Sequence, residues 1–323
     1  MAQAQSPVSA KHPENFKHLR ERLSEAHLDQ RLQQQAKHNA RLSHQGEGFF
    51  RIERYIAIDE LAKWALRTVF LWKRGHANIF DIEIVEQEWH FPKLPKNFDG
   101  FRLLHLSDLH IDINPALNRA VVEAIKDCPH DAMVMTGDYR DSTDDNYGAS
   151  MDLMEPILEA SEAPRFGILG NHDCIEMVWE LEARRLPILL NEASSIERDG
   201  EQLHLAGVDD PHFYRTHDFA KAREKVPDGA FSVLLCHSPE AHAEAASHGF
   251  DFMLSGHTHA GQICLPGGRH VVLPVKNLSH DLIKGRWTSG RMQGYTSRGT
   301  GSSGVAARFN CRPEVTVHTL RRA

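Results

Sequence analysis

Long apolar runs are missing from this chain. None of its 323 residues lies in an uninterrupted stretch of 18 or more apolar residues, so no membrane-spanning helix is expected. Cysteine is scarce. The five present (Cys128, Cys174, Cys236, Cys264 and Cys311) are odd in number and include no Cys-x-x-Cys pair. That pattern argues against a disulfide framework and reads as free thiols in a reducing cytoplasm. Cys174 and Cys236 adjoin motif residues, yet no base is paired with either in sequence, so both are read as small packing residues. The first residues are polar and lack an apolar segment, so no secretory signal is expected. Internal repeats and low-complexity tracts are lacking too. Basic charge is thin over most of the chain. The net charge is −7, but residues 1–80 hold 13 Lys/Arg against 8 Asp/Glu, and the remainder holds 24 against 36. An acidic body argues against nucleic-acid binding, while a mildly basic N-terminus leaves an anionic surface open as a partner.

What is present is ordinary for a globular protein: 41% hydrophobic and 25% charged residues. The length suggests one large domain with an appendage, or two domains. The polar segment from His12 to Leu42 has helix-favouring composition with sparse apolar positions (Phe16, Leu19, Leu23, Leu28, Leu32) and is predicted to be a partly exposed helix. The five histidines between residues 12 and 44 have no ligand spacing and read as solvated. Over residues 58–74, Ile58, Leu61, Ala65, Val69 and Trp72 share one helical face, widened by Trp64, Phe70 and Leu71. This amphipathic helix either packs on its own domain or lies at a membrane surface; amphipathicity alone does not separate the two.

From residue 79 onward strands and helices alternate. Strands are predicted at Ile79–Phe91, Phe101–Leu106, Ala132–Met135, Phe166–Leu169, Leu203–Val208, Phe231–Leu235 and Phe252–Leu254, with helices at Ala116–Lys126, Met151–Ala160 and Cys174–Arg184. Alternation of this kind predicts an α/β layered domain. The late part (Val271–Val275, Gly294–Ser297, Val315–Leu320) is strand-rich, which predicts a second mixed sheet, and residues 299–304 form a Gly/Ser loop. The division expected is a helical N-terminal extension over 1–78 and one domain over 79–323.

Five short blocks follow apolar strands: Asp108-Leu109-His110, Gly137-Asp138, Gly170-Asn171-His172-Asp173, Cys236-His237 and Gly256-His257-Thr258-His259. Together they supply seven side chains able to bind metal, enough for two ions sharing one bridging ligand. Paired metals are a standard device for in-line phosphoryl chemistry. Loops at strand ends suit such residues, because the sheet aims them and leaves them open. Asp108 and His110, one residue apart, face the same way if the segment is extended. Gly137 allows a tight turn before Asp138, whose two oxygens can bridge. Mixed carboxylate and imidazole donors suit Mn, Fe or Zn better than Mg or Ca alone. His105 lies among apolar residues and reads as a core histidine. His212, His270 and His280 read as surface or substrate-proximal.

The ordered blocks resemble the calcineurin-like metallophosphoesterase superfamily, and Gly137-Asp138-Tyr139-Arg140-Asp141 fits its second motif in full. The tails Gly256-His257-Thr258-His259-Ala260-Gly261-Gln262-Ile263 and Ser297-Arg298-Gly299-Thr300-Gly301 resemble a bacterial branch of membrane-associated phosphodiesterases and UDP-2,3-diacylglucosamine pyrophosphatases. The resemblance covers about residues 79–320. It implies a four-layer α-β-β-α sandwich with mixed sheets. It implies one metal on Asp108, His110, Asp138 and His259, and a second on Asp138, Asn171, His237 and His257. His172 would protonate the leaving group or stabilise phosphate charge, with Asp173 orienting it. Two divalent ions are implied, manganese first, zinc or iron as alternatives. The activity implied is hydrolysis of a phosphodiester or pyrophosphate by a hydroxide bridging the metals. The alternative is a lipid A pyrophosphatase acting on a lipid-linked nucleotide. A catalytically silent interaction module on the same fold is a third reading, and such modules typically lose ligands. The location implied is cytoplasmic, or peripheral at the inner membrane through residues 58–74. Arg140 and Arg298 are candidates for meeting further phosphates, or else structural.

Overall fold

The computed structural model describes residues 13–42, 60–143, 147–271, 273, 275 and 278–323. Among them eleven strands form two mixed sheets. The first has the order β1-β11-β2-β3-β4: Glu83–Phe91, Glu314–Arg322, Phe101–Leu106, Ala132–Met135 and Arg165–Gly167. The second has the order β5-β6-β7-β8-β10-β9: Glu192–Arg198, Glu201–Gly207, Ser232–Leu235, Phe252–Ser255, Met292–Thr296 and Gly285–Ser289. β2, β3 and β4 run parallel, as do β6, β7, β8 and β10.

The strand sequences explain the layering. In β2, Phe101 and Leu103 face the second sheet, while Leu104 and Leu106 face the opposite way. In β7, Val233 and Leu235 face the first sheet, and Leu234 faces outward. Each side of each sheet is covered, so central strands read as continuous apolar runs rather than alternating ones. Trp89, Phe91, Val134, Leu205, Phe252 and Leu254 fill the space between the sheets. Helices Leu117–Lys126, Gly148–Glu159 and Met177–Ala183 cover the outer side of the first sheet; Phe219–Arg223 and His242–Ser247 cover that of the second. The order is helix, sheet, sheet, helix.

Several expectations are corrected. The C-terminal strand β11 does not join a second sheet; it inserts between β1 and β2 of the first. No strand is formed at residues 271, 273 and 275, and the rest of that expected strand lies outside the described residues. The edge strands β5 and β9 carry little apolar signal and go unpredicted: Ala193 and Ile196 in β5 and Trp287 in β9 supply it. The N-terminal helix is two helices, α1 (Pro13–Arg22) and α2 (Glu25–Leu42). Ser24 starts the second by accepting from the His27 backbone N–H through its side chain at 3.1 Å. The expected helix over 58–74 is broken as well. Residues 58 and 59 lie outside the described residues; residues 60–68 are helical, Phe70 turns left-handed at φ 59°, and Trp72–Ala77 form a separate short helix. The break lets Gly75 press on the Phe309 ring, a spot where any side chain would collide.

α1 and α2 are partly exposed, as expected, but most of their apolar stripe is buried and Leu32 is half-buried. Phe16, Leu19, Leu23 and Leu28 are buried in the same core as Leu104 and Met135. Their histidines are not all solvated, since His27 Nε2 lies 3.0 Å from Asp209 Oδ2; His12 and His44 lie outside the described residues. Arg31, with no exposed surface, anchors α2. It donates to Asp209 Oδ1 and to the Asp173 carbonyl, both at 2.8 Å, and its guanidinium lies 3.3 Å over the Tyr214 ring. Asp209 is held well below the usual carboxylate range: burial opposes this, but Arg31 and His27 outweigh it. Breaking a buried pair strands its partner at a cost of about 3–5 kcal/mol. Arg31→Met is therefore expected to lower unfolding stability by about that amount, read from urea midpoints at constant slope. A change under about 1 kcal/mol, the scale of an exposed pair, would show that α2 is anchored elsewhere.

Candidate metal centre

Each of the five blocks leaves the carboxyl end of a parallel strand. Asp108 and His110 follow β2, Asp138 follows β3, and Asn171, His172 and Asp173 follow β4; His237 follows β7, and His257 and His259 follow β8. Two sheet edges thus deliver their loops to one crevice. The local backbone differs from the expected extended alternation. Asp108 (φ 53°), His110 (40°), Asp138 (56°), His257 (71°) and His259 (48°) are all left-handed. Non-glycine residues adopt this region at a cost of order 1–3 kcal/mol each when the surroundings impose it, and such strain gathers at functional sites. It is this turning, not strand alternation, that points the side chains inward. Gly137 has φ 89° and lies against Gly170; Gly256 lies against Ser107 and Asp108 so closely that a side chain would overlap both.

Two knots of donor atoms result. In one, Asp108, His110 and His259 place ligand atoms within 4.8 Å of one another; His110 Nε2 and His259 Nε2 are 3.1 Å apart, and His259 Nε2 is 3.5 Å from Asp108 Oδ1. In the other, Asp138, His237 and His257 are grouped within the same limit. His237 Nε2 lies 3.2 Å from Asp138 Oδ2, 3.2 Å from His257 Nδ1 and 3.0 Å from Asn171 Oδ1. Asp138 joins the knots, since its Oδ2 is also 3.6 Å from His110 Nε2. His172 belongs to a third overlapping group with His110 and Asp138.

Surrounding residues hold these in place. The His237 Nδ1–H donates to the Thr136 carbonyl at 2.7 Å, which turns Nε2 toward the knot. His110 Nδ1 faces Asp141 Oδ1 at 3.2 Å. Asp173 does not orient the His172 ring. Its carboxylate accepts from the backbone N–H groups of Asp138 (2.8 Å), Tyr139 (3.0 Å) and Gly170 (2.8 Å), and so ties two motif loops together. The His172 ring is held instead through Nδ1 by the Asp141 carbonyl at 2.7 Å. His212 stands nearer the centre than its loop position suggests, with its ring 4.4 Å from that of His257 and its Nδ1 3.0 Å from Glu240 Oε1. Arg298 is structural, paired with Glu314 and Glu83. Arg140 is buried and bonds the His172 carbonyl at 3.2 Å. Sequence reasoning missed Arg308, fully buried behind His259, whose donors reach the carbonyls of Arg298, Gly299 and Gly301. The five cysteines are free and buried, and burial pushes the Cys174 and Cys236 thiols up, away from the reactive thiolate.

The electrostatics suit cations. Burial opposes charge on His237 and His110, yet Asp138, Asp141 and Asp108 outweigh it. Asp138 above all pushes His237 up to about 10, and Asp141 with Asp138 and Asp108 pushes His110 up to about 9. Burial and those charged neighbours hold His257 and His259 well below the usual imidazole value. In each facing pair one imidazole therefore favours its protonated form and the other its neutral form. His257 Nε2 has no partner among the described residues. Pairs of lone-pair donors facing one another inside a protein ask for a cation between them, and a divalent ion satisfies both nitrogens where a proton satisfies one. The donor set fits two metals.

Residues 101–261 match the family model described as calcineurin-like phosphoesterase. The uncharacterized metallophosphoesterase YkuE of Bacillus subtilis is 30% identical over 76% of this chain and 89% of its own length. The phosphodiesterase YaeI of Escherichia coli is 30% identical over 69% of this chain and 83% of its own. A solved structure, the NAD nucleotidase of Haemophilus influenzae, superposes with a TM-score of 0.44 at 15% identity, covering 62% of this chain and 46% of that one. From the motif order, the paired donor knots and the 30% identity with YkuE, it follows that the chain belongs to the calcineurin-like phosphoesterase family of metal-dependent phosphoric ester hydrolases.

Proposed function

We propose that this chain hydrolyses phosphodiester or pyrophosphate bonds at a dinuclear centre. Asp108, His110, Asp138 and His259 would hold one metal. Asp138, Asn171, His237 and His257 would hold the other. The observation that carries this reading is the placement of Asp138 between two knots of facing imidazoles. Bound divalent metals would acidify a water and screen the charge of the phosphate oxygens. Mixed oxygen and nitrogen donors favour manganese, with zinc or iron as alternatives. The name phosphodiesterase carried by YaeI supports a diester as substrate. His172 supplies proton transfer. Its Nδ1–H is committed to the Asp141 carbonyl, so its Nε2, on the side of the His110 and Asp138 group, is left to take up a proton and, from the imidazolium, pass it to the departing oxygen. Asp173 keeps the His172 loop docked on Asp138. No protein nucleophile is required.

A second reading concerns where the substrate comes from. Among the described residues no helix is long and apolar enough to cross a membrane. Yet Leu61 (61% exposed), Trp64 (62%), Val69 (58%) and Phe70 (91%) stand out in solvent beside Lys63, Arg67, Lys73 and Arg74. Apolar and basic groups together suit the surface of an anionic bilayer. A lipid-linked nucleotide is the substrate class consistent with that surface.

Metal-stripped protein refilled with manganese is expected to cleave bis-p-nitrophenyl phosphate faster than p-nitrophenyl phosphate, with apparent metal affinity rising as pH climbs toward 9, because His110 and His237 must release protons to bind. Asp138→Asn is expected to lose activity by roughly 100-fold or more at unchanged thermal stability; retained activity would sink the bridging role. His172→Ala should lower turnover of esters with poor leaving groups by about 100-fold and of nitrophenyl esters far less. Equal losses would remove it from proton transfer. For the second reading, the full chain should float with vesicles containing anionic lipid, and Trp64→Glu with Phe70→Glu should abolish flotation; flotation unaffected by both would refute it.

A further inference from the structure

A line of hydrogen bonds crosses the inter-sheet core and ends on Asp108. The Trp89 Nε1–H donates to His318 Nδ1 at 3.0 Å. His318 Nε2 meets His105 Nδ1 at 3.4 Å, the longest link. His105 Nε2 meets Thr136 Oγ1 at 2.9 Å. The Thr136 hydroxyl donates to Ser107 Oγ at 2.7 Å, and the Ser107 hydroxyl donates to Asp108 Oδ2 at 2.6 Å. Trp89 lies on β1, His318 on β11, His105 on β2, and Thr136 just beyond β3.

The chemistry of the two ends dictates the direction of every link. An indole N–H only donates, and an ionised carboxylate only accepts. His318 Nδ1 must therefore be an acceptor, which places its single proton on Nε2. That proton points at His105 Nδ1, so the His105 proton is on Nε2 as well. Thr136, having accepted, gives its own proton to Ser107, and Ser107 gives its own to Asp108. Only this assignment satisfies all five links, and it follows from the network rather than from seen hydrogens. It also needs neutral imidazoles. Burial pushes His105 down to about 3 and holds His318 well below the usual value.

We propose that Trp89, His318 and His105 are positioning residues, which lock the Ser107 hydroxyl onto one oxygen of Asp108 and so hold that carboxylate in a single orientation for its metal. The proposal rests on the reading of Asp108 as a ligand. Packing alone does not account for these residues. Two imidazoles among Trp89, Phe252 and Tyr295 are costly to bury unless bonded, and all four of their ring nitrogens have partners. The far side of Asp108 is fixed too, because the His257 backbone N–H reaches both its oxygens at 2.9 and 3.0 Å. The line therefore removes the remaining freedom of the carboxylate, much as partners behind metal ligands do elsewhere.

The test is nitrogen-detected NMR of the imidazoles in the full chain, with and without manganese, beside manganese titrations. The native protein should show His105 and His318 both protonated at Nε2. Trp89→Phe removes the donor that fixes His318, so the His318 ring should become a tautomer mixture while the Asp108 end still holds the His105 proton on Nε2, and manganese affinity should fall by about tenfold. Ser107→Ala, which threatens folding least, should lower affinity similarly while leaving both tautomers intact. Phe252→Leu, a packing change in the same core, should lower stability without moving either readout. Nδ1 protonation of either histidine in the native chain, or equal affinity losses in Phe252→Leu and Trp89→Phe, would overturn the proposal. A native chain that binds no manganese would overturn the ligand reading of Asp108 and the proposal with it; intact binding in Ser107→Ala would overturn the proposal alone.

Discussion

Three carboxylates, five imidazoles and one amide gathered within a few ångströms, most of them buried, are the constraint on which the rest of this structure depends. Lone pairs brought that close repel one another, and burial raises the cost. Neighbouring carboxylates push His110 and His237 up against the cost of burial, so both favour the protonated form. Asp138 stands between the two knots, so the charge balance of one is coupled to that of the other. A single carboxylate serving both is the economical way to hold two cations near each other without adding negative charge.

Such convergence strains the backbone. Five of the donor residues are left-handed, and each would relax if its loop were free. They are not free. Asp173 ties the β4 loop to the β3 loop through three backbone N–H groups, and the His257 N–H ties the β8 loop to Asp108 across the sheet interface. From outside, Arg31 of the N-terminal helix bonds the Asp173 carbonyl and so presses on the back of the same loop. The segment that looked polar and peripheral in sequence thus bears on the site through one buried guanidinium. Its rigidity comes from Asp209 and Tyr214, residues about 180 positions away, which no local pattern connects to it.

Legibility in the sequence followed physical range. Central strands were readable because burial on both faces makes them apolar throughout; β2, β3, β7 and β8 are where the apolar runs predicted them. Edge strands β5 and β9, flanked by solvent, were not. The helix over 58–74 had the correct period but the wrong continuity, since the break at Phe70 answers to Gly75 packing on Phe309, far along the chain. His105 was identified as a core residue from its apolar surroundings. Its place in a line reaching Asp108 was invisible, because β11, which brings His318, inserts next to β2 only in the folded sheet.

The sequence by itself determined the family, the donor residues offered to metal, the strand ends that carry them and the α/β layering, because motif chemistry and apolar periodicity are local properties of the chain. Tertiary structure alone decided the contacts around the donors. It gave the His172 ring to the Asp141 carbonyl rather than to Asp173, brought His212 beside His257 and set Arg308 behind His259. Each of those contacts lies across a sheet interface or between loops, where positive φ angles and close approach, not sequence spacing, fix the direction of a side chain.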